Sequence, residues 1–525
     1  MGRSASLTAA LLGVGLILAG CGDAPSNETA DVGEYPFELP LEDDFDPNAE
    51  FRYGYNTVLS GWDPTKSVSG AELVWYAPVY DRLLWVDENG ELQPMLATQW
   101  EPSEDLSSLT LTLREGLTFS DGAPFNAEAV KFNIERTAAE ESTLAGELQQ
   151  VSSVEVVDEY VVKINVTGGL GSLSVALAAR PGIMVSPEAV ESGSLDDAPA
   201  GIGPYVMTET VAGDYATFEK SADYWAPEAQ NVAKRTYQYM PDDQTRYNAL
   251  ASGEVDGVSM SPTMLDDAQR AGLQSTARPT GLFLFLALNS AEGELDNPEV
   301  MKAINMAIDR EAISDGLYDG LCVPQIQPFA QDSPGYSDDL GPGLDVFPYD
   351  PDAAKEILAE QGVESLSLSA VTPNVTIYTK FAEAVQAQLG DIGIDVSVSP
   401  KPSAQIVEDF TITKSENAMA SVYTGIADPD GVVQQFLTPE ARYNPGGTTY
   451  DTLIELAEQG AAPVDPAERN AAYVKFMDAW ADAPPHVVPA CMIYIAASFS
   501  EEVSGVLQTA GGITDLLRNV AITPA

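Results

Sequence analysis

The sequence predicts an α/β protein, and three observations carry that expectation. Leu366, Leu368 and Ala370 alternate with polar neighbours, Phe381, Val385, Leu389 and Ile392 repeat at helical spacing, and Ile394, Val396 and Val398 alternate again. That is a strand-helix-strand unit, and its right-handed crossover makes the two strands parallel. Upstream, period-two segments separated by turn dipeptides read as half-buried strands. Between the two regions, Asn297 caps a helix opening at Pro298, whose stripe of Val300, Ala303, Ile304, Ala307, Ile308 and Ala312 leaves one apolar face. With 525 residues, 45% of them hydrophobic, the chain is long enough for about three folding units.

The elements follow in order. A basic start, Met1 to Arg3, precedes a 13-residue run from Leu7 to Ala19, too short to span a bilayer comfortably but suited to a secretory signal. Leu18-Ala19-Gly20-Cys21 resembles the bacterial lipobox, which implies removal of residues 1–20 and a lipid on the Cys21 thiol; an ordinary cleaved signal with an incidental cysteine is the alternative. No later apolar run is long enough to span, the best being Gly281 to Leu288. The expected location is therefore the outer face of the cytoplasmic membrane, or the periplasmic side, reached through a lipid anchor.

Residues 21–50 hold ten Asp and Glu, no Lys or Arg, and four prolines, and read as an extended, solvated acidic tether. Leu83 to Val86 and Leu92 then flank Asn89-Gly90, a hairpin turn pair. Leu109, Leu111 and Leu113 mark a strand, and a helix follows from Asn126. Val154 and Val156 with Val162, Ile164 and Val166 mark a hairpin, so that 99–194 reads as a subdomain. Beyond the strand-helix-strand unit, a strand from Met419 to Tyr423 runs into Thr424-Gly425-Ile426-Ala427-Asp428-Pro429-Asp430. Ligands of such sheets bind beyond the strands' carboxyl ends, which puts this loop at a mouth. Cys322 and Cys491 lie 169 positions apart; spacing leaves open a bridge or, on the plainer reading, two buried thiols.

Charge and composition exclude several functions. Acids number 80 against 25 bases, a net charge of −55 that repels a nucleic-acid backbone from nearly every face. One histidine, His486, and three cysteines cannot build a His-rich or Cys-rich metal site, so no metal centre and no cofactor is expected; beside Pro484-Pro485, His486 reads as a surface-loop residue. There is no G-x-S-x-G elbow, Walker A loop or H-E-x-x-H, and Gly201-Ile202-Gly203 runs into Pro204 as a structural turn. Carboxylates are too numerous for any pair to stand out as general acid and base. The pattern suits capture of a solute better than its transformation.

A series of motifs then resembles one family. Val79-Tyr80-Asp81-Arg82-Leu83-Leu84, Leu113-Arg114-Glu115-Gly116, Phe119-Ser120-Asp121-Gly122, Gly201-Ile202-Gly203-Pro204-Tyr205, Asn297-Pro298-Glu299-Val300, Ala307-Ile308-Asp309-Arg310 and Tyr349-Asp350-Pro351 occur in the order found in family 5 extracellular solute-binding proteins, the dipeptide and oligopeptide group of ABC importers. The resemblance implies a two-lobed periplasmic-binding-protein (flytrap) fold with an extra β-rich subdomain in lobe one. Lobe one would combine 51–285 with 490–525, and lobe two would run over 289–489. It further implies a monomer that closes on a small solute, most plausibly an oligopeptide, and docks on a permease whose ATPase subunits consume the nucleotide. The same architecture in relatives takes metal chelates, haem, sugars or opines, and a surface hydrolase with paired carboxylates is the rival from another class.

In peptide-binding relatives, the strand leading into the equivalent of Tyr423-Thr424-Gly425 pairs with the peptide main chain, and an acidic residue beyond it holds the α-amino group. Here Ile426 stands where that residue is expected. Either Asp428 supplies the charge from a displaced position or the ligand has no free amine; turn formation around Pro429 is the plainer role. Tyr423 is the leading candidate for covering a peptide plane, and Trp62, Trp75 and Tyr76 are candidates for the opposing wall, with simple core packing as the alternative.

Overall fold

The computed structural model describes residues 35–524, apart from 292, 332, 426–427 and 510–515. The signal segment 1–20, Cys21 and residues 21–34 of the tether lie outside the described residues. No helix among those described is long and apolar enough to cross a membrane.

An 11-stranded mixed sheet runs through the molecule. Its order is Ile394–Lys401, Leu366–Pro373, Ala418–Val422, Gln274–Leu288, Val487–Phe499, Gly257–Ser259, Glu50–Tyr55, Lys234–Tyr239, Tyr215–Lys220 and Tyr205–Val211; Cys322–Pro324 pairs with Val487–Phe499 off this path. At its centre, Gln274–Leu288 and Val487–Phe499 pair antiparallel from Gln274 opposite Phe499 to Ala287 opposite Val487, with register breaks at Pro279/Phe283 and Leu284/Phe285. The unbroken run from Leu282 to Leu288 suits a strand buried on both faces. Leu282, Leu284, Leu286 and Leu288 enter one core, while Phe283, Phe285 and Ala287 enter another on the opposite face.

Two lobes flank these strands. The cores on either face of Gln274–Leu288 take up buried side chains between Leu282 and Ile493. A second pair of cores gathers residues from Leu39 to Tyr237 and from Ala497 to Val520. Within this second lobe, Ala97–Pro102, Ser108–Leu113, Val161–Val166 and Val151–Asp158 form a four-stranded antiparallel sheet over its own core. Gly90 turns the hairpin of Leu84–Val86 and Leu92–Pro94 at φ +82°, a conformation that favours glycine. The helix Ala127–Thr137 is capped by Asn126, whose side chain accepts from the Ala129 amide at 3.1 Å.

In the other lobe, Leu366–Pro373, the helix Thr376–Asp391 and Ile394–Lys401 form the parallel unit expected from sequence. The stripe from Val300 to Ala312 is divided between two helices, Pro298–Ala307 and Arg310–Tyr318. Asp309 causes the break: its side chain accepts from the Ala312 amide at 2.9 Å and starts a second helix, with Ile308 extended. Cys322 and Cys491 form a disulfide, Cα atoms 5.5 Å apart, which corrects the reading of two free thiols.

The tether reading also needs correction over residues 35–50. Glu38–Leu39 pairs with Val506–Leu507, the Pro36 carbonyl accepts from the Ala277 amide at 3.1 Å, and the Asp46 amide donates to the Ile522 carbonyl at 2.8 Å. Interleaved apolar residues give the cause: Leu39 is buried in the lobe-one core despite the acids around it.

Candidate functional site

A cleft of about 1710 Å³ opens between the lobes, with Tyr55, Leu73 and Arg180 on one wall and Phe329, Tyr378 and Tyr423 on the other. Pockets for a single drug-sized molecule are typically about 300–1,000 Å³, so this one admits a longer occupant.

The strand Ala418–Val422 delivers Tyr423, Thr424 and Gly425 to the cleft lining. One side of it pairs fully with Gln274–Leu288, from Leu284 opposite Val422 to Leu288 opposite Ala418. On the other side, among the described residues, the ladder holds only Ala370 with Ala418 and Val371 with Met419. Tyr423 donates its amide to the Phe283 carbonyl at 2.8 Å and stacks on the Phe283 ring at 5.1 Å. Its side chain is fully buried, and burial followed by the Glu147 charge raises its phenol well above the ordinary value. Tyr423 thus builds the floor of this end rather than standing as a free plate.

Asp428 lines the cleft but its charge is already matched. Its carboxylate takes two bonds from Arg469, at 2.8 and 2.7 Å, with both side chains buried, and it caps the helix Pro429–Phe436 through the Asp430 amide at 3.0 Å. This corrects the proposal of Asp428 as an amine site: a buried carboxylate held by a guanidinium has no charge to spare. Asp430 is buried beside it, and burial together with the Asp428 charge raises its carboxyl.

Trp62, Trp75 and Tyr76 do not line the cleft. Trp62 meets Phe218 edge-on at 6.2 Å, Trp75 Nε1 donates to the Thr57 carbonyl at 2.8 Å, and the Tyr76 hydroxyl donates to the Gly61 carbonyl at 2.8 Å. They are core residues that hold the 57–61 loop, from which Thr57 reaches the lining. His486 is likewise buried rather than in a surface loop: Nδ1 meets the Tyr450 hydroxyl at 2.7 Å and Nε2 the Tyr443 carbonyl at 2.8 Å. Burial pushes its pKa down to about 4. Among the described residues no cluster of three His, Cys, Asp or Glu is placed to hold a metal.

Sequence reasoning missed the seam where the lobes touch. A Cβ at Gly70 would lie 2.2 Å from the Thr424 carbonyl oxygen, and one at Gly171 would lie 2.0 Å from the Pro463 carbonyl oxygen. Backbone of one lobe therefore meets backbone of the other at two glycines. It also missed Glu147, whose Oε1 accepts from Arg180 at 2.8 Å on the cleft wall, and Arg278, a charged residue inside a crossing strand. The last carried a signal, since a charge rarely interrupts such a strand without a task.

Comparison with known proteins agrees with this geometry. The family described as "Bacterial extracellular solute-binding proteins, family 5 Middle" matches residues 91–444. Over 469 residues the chain is 26% identical to the glutathione-binding protein GsiB of Salmonella typhi, covering 86% of this chain and 89% of that one. Two solved structures share the fold. One is the periplasmic binding protein DppA of Helicobacter pylori with the peptide STSA, at TM-score 0.80 and 22% identity over 92% of this chain and 99% of that one. The other is AgaA from A. tumefacien R10 with agropinic acid, at TM-score 0.81 and 24% identity over 91% and 99%.

Proposed function

The chain belongs to the bacterial extracellular solute-binding proteins of family 5, and from that premise we propose that its cleft captures a short peptide, closes over it, and presents it to the permease of an ABC importer. The family carries solutes and does not transform them. The observation that favours a peptide is the strand end at Tyr423-Thr424-Gly425: it enters the cleft while the strand behind it has ladder partners on one side only past Met419. An extended peptide added to such an edge gains main-chain hydrogen bonds whatever its side chains, with cleft size setting its length. Lobe one, 51–285 with 490–525, and lobe two, 289–489, are the closing bodies, and the closed form is favoured only by contacts made to both at once. Cys21 carries the lipid that keeps the receptor at the outer face of the membrane, and one copy of the chain is the working unit.

The experiment incubates the full chain with a pool of short peptides, removes unbound material, and identifies the retained species by mass spectrometry. Intact peptides enriched in the bound fraction are expected. Retention of an opine, sugar or metal chelate in place of peptides overturns the peptide reading, and cleaved peptides overturn the carrier.

A further inference from the structure

In the cleft lining, the Arg278 guanidinium is held in place by two backbone carbonyls. Arg180 is tied to Glu147, Arg469 to Asp428 and Arg246 to Asp243, so these three carry matched charge. Arg278 also lines the cleft, yet among the described residues it makes no ion pair. Its Nη1 donates to the Glu88 carbonyl at 2.9 Å and the Gln508 carbonyl at 3.1 Å, and its guanidinium carbon lies 5.1 Å from the centre of the Phe37 ring. Among the described residues Nε and Nη2 have no partner, and neither is a buried unsatisfied atom, so this edge is accessible. In a chain where 80 acids face 25 bases, a base in the main cleft with no described carboxylate at ion-pair distance is unexpected by composition alone.

These contacts fix a fork. With Nη1 spent on two carbonyls and the plane held by the Phe37 ring, the free edge is the Nε–H and Nη2–H pair, the geometry that receives a carboxylate through two parallel bonds. The residue sits on Gln274–Leu288, opposite Ile495 of Val487–Phe499, and so occupies the pair of strands between the lobes. We propose that Arg278 is the subsite for a carboxylate of the solute; resting on the peptide reading above, this is the free C-terminal carboxylate of the peptide.

The test uses the full chain with two probes, a pool of short peptides and the same pool amidated at the C-terminus, with retention quantified by mass spectrometry. Wild type is expected to retain the free acids about 10- to 100-fold better than the amides, the range for a charge-assisted pair. Arg278→Gln is expected to erase that preference while holding the amides as wild type does, and Arg278→Lys to restore part of it. Phe37→Ala, which removes the ring and keeps the charge with its two carbonyl acceptors, is expected to weaken the preference without erasing it and so separates binding from support of the N-terminal segment. Equal retention of both pools by wild type, or an undiminished preference in Arg278→Gln, overturns the assignment and leaves the peptide reading standing. Retention of neither pool overturns the peptide reading and this assignment with it.

Discussion

Replacing Gly171 by alanine separates closure from folding. Gly171 is the second residue of the helix Leu170–Ala176, where alanine is the better helix former by up to about 1 kcal/mol, so the unliganded chain should melt at the same temperature or higher. Closure should suffer. The new Cβ would sit 2.0 Å from the Pro463 oxygen and 3.0 Å from the Ala461 oxygen, against 3.4 Å for ordinary contact, so the seam must part by about 1.4 Å, the difference between 3.4 and 2.0. Both obstacles are backbone and cannot swing aside. Overpacking of this kind costs about 1–3 kcal/mol, or roughly 5- to 150-fold in Kd. At a peptide concentration 100 times the wild-type Kd, ligand adds about 2.7 kcal/mol to wild type but only about 1.4 kcal/mol to a variant bound tenfold more weakly. Calorimetry gives Kd, thermal melts give the ligand-dependent shift, and small-angle scattering gives the compaction on binding. Wild-type affinity together with wild-type compaction in Gly171→Ala would refute the seam as a closing contact.

Two further predictions concern buried charge. Arg469→Met strands the Asp428 carboxylate in the protein interior and should destabilise the fold by about 3–5 kcal/mol in urea titration; adding Asp428→Asn should recover most of that, and an equally unstable double variant would show that the ion pair is not the cause. His486 is held neutral in the fold, with a pKa near 4 against 6.5 when free, so between those values the unfolded chain takes up the proton first and stability falls as pH drops from 6.5 towards 4. Spread over that window the loss is about 3 kcal/mol. His486→Gln should remove this component from the pH profile measured alongside wild type, and superimposable profiles would contradict it.

Periodicity made the elements readable because each has one dominant demand. The strand-helix-strand unit at 366–401 and the hairpin around Gly90 satisfy local preference and tertiary burial at once. Where two signals competed, the local one hid the boundary: the stripe through Ala312 is continuous in hydrophobicity, yet Asp309 captures an amide and restarts the helix. The cleft was legible only as a place. Tyr423, Thr424 and Gly425 were found because a strand's end has a direction, whereas the fate of Asp428 depended on Arg469, 41 positions away, and no local pattern reports such a partner. Trp62, Trp75 and Tyr76 misled because a buried aromatic and a ligand-facing one have the same residue type and the same spacing. Gly70 and Gly171 were silent for a related reason: a glycine required by a neighbour's carbonyl looks like any other glycine.

The segment Tyr35–Leu39 settles where a pull on the front of the molecule would be felt. Tyr35 reaches Asp266, Pro36 bonds the Ala277 amide, the Phe37 carbonyl takes the Gln508 amide, and Glu38–Leu39 lies along Val506–Leu507. These hydrogen bonds all fall on one body and at the near end of its connecting strand, while Tyr35 also packs against the cluster that includes Leu321 of the other. If Cys21 is anchored and the lobes close as proposed above, a load entering through residue 35 is taken up mainly by the body that holds Asp266, Ala277 and Gln508.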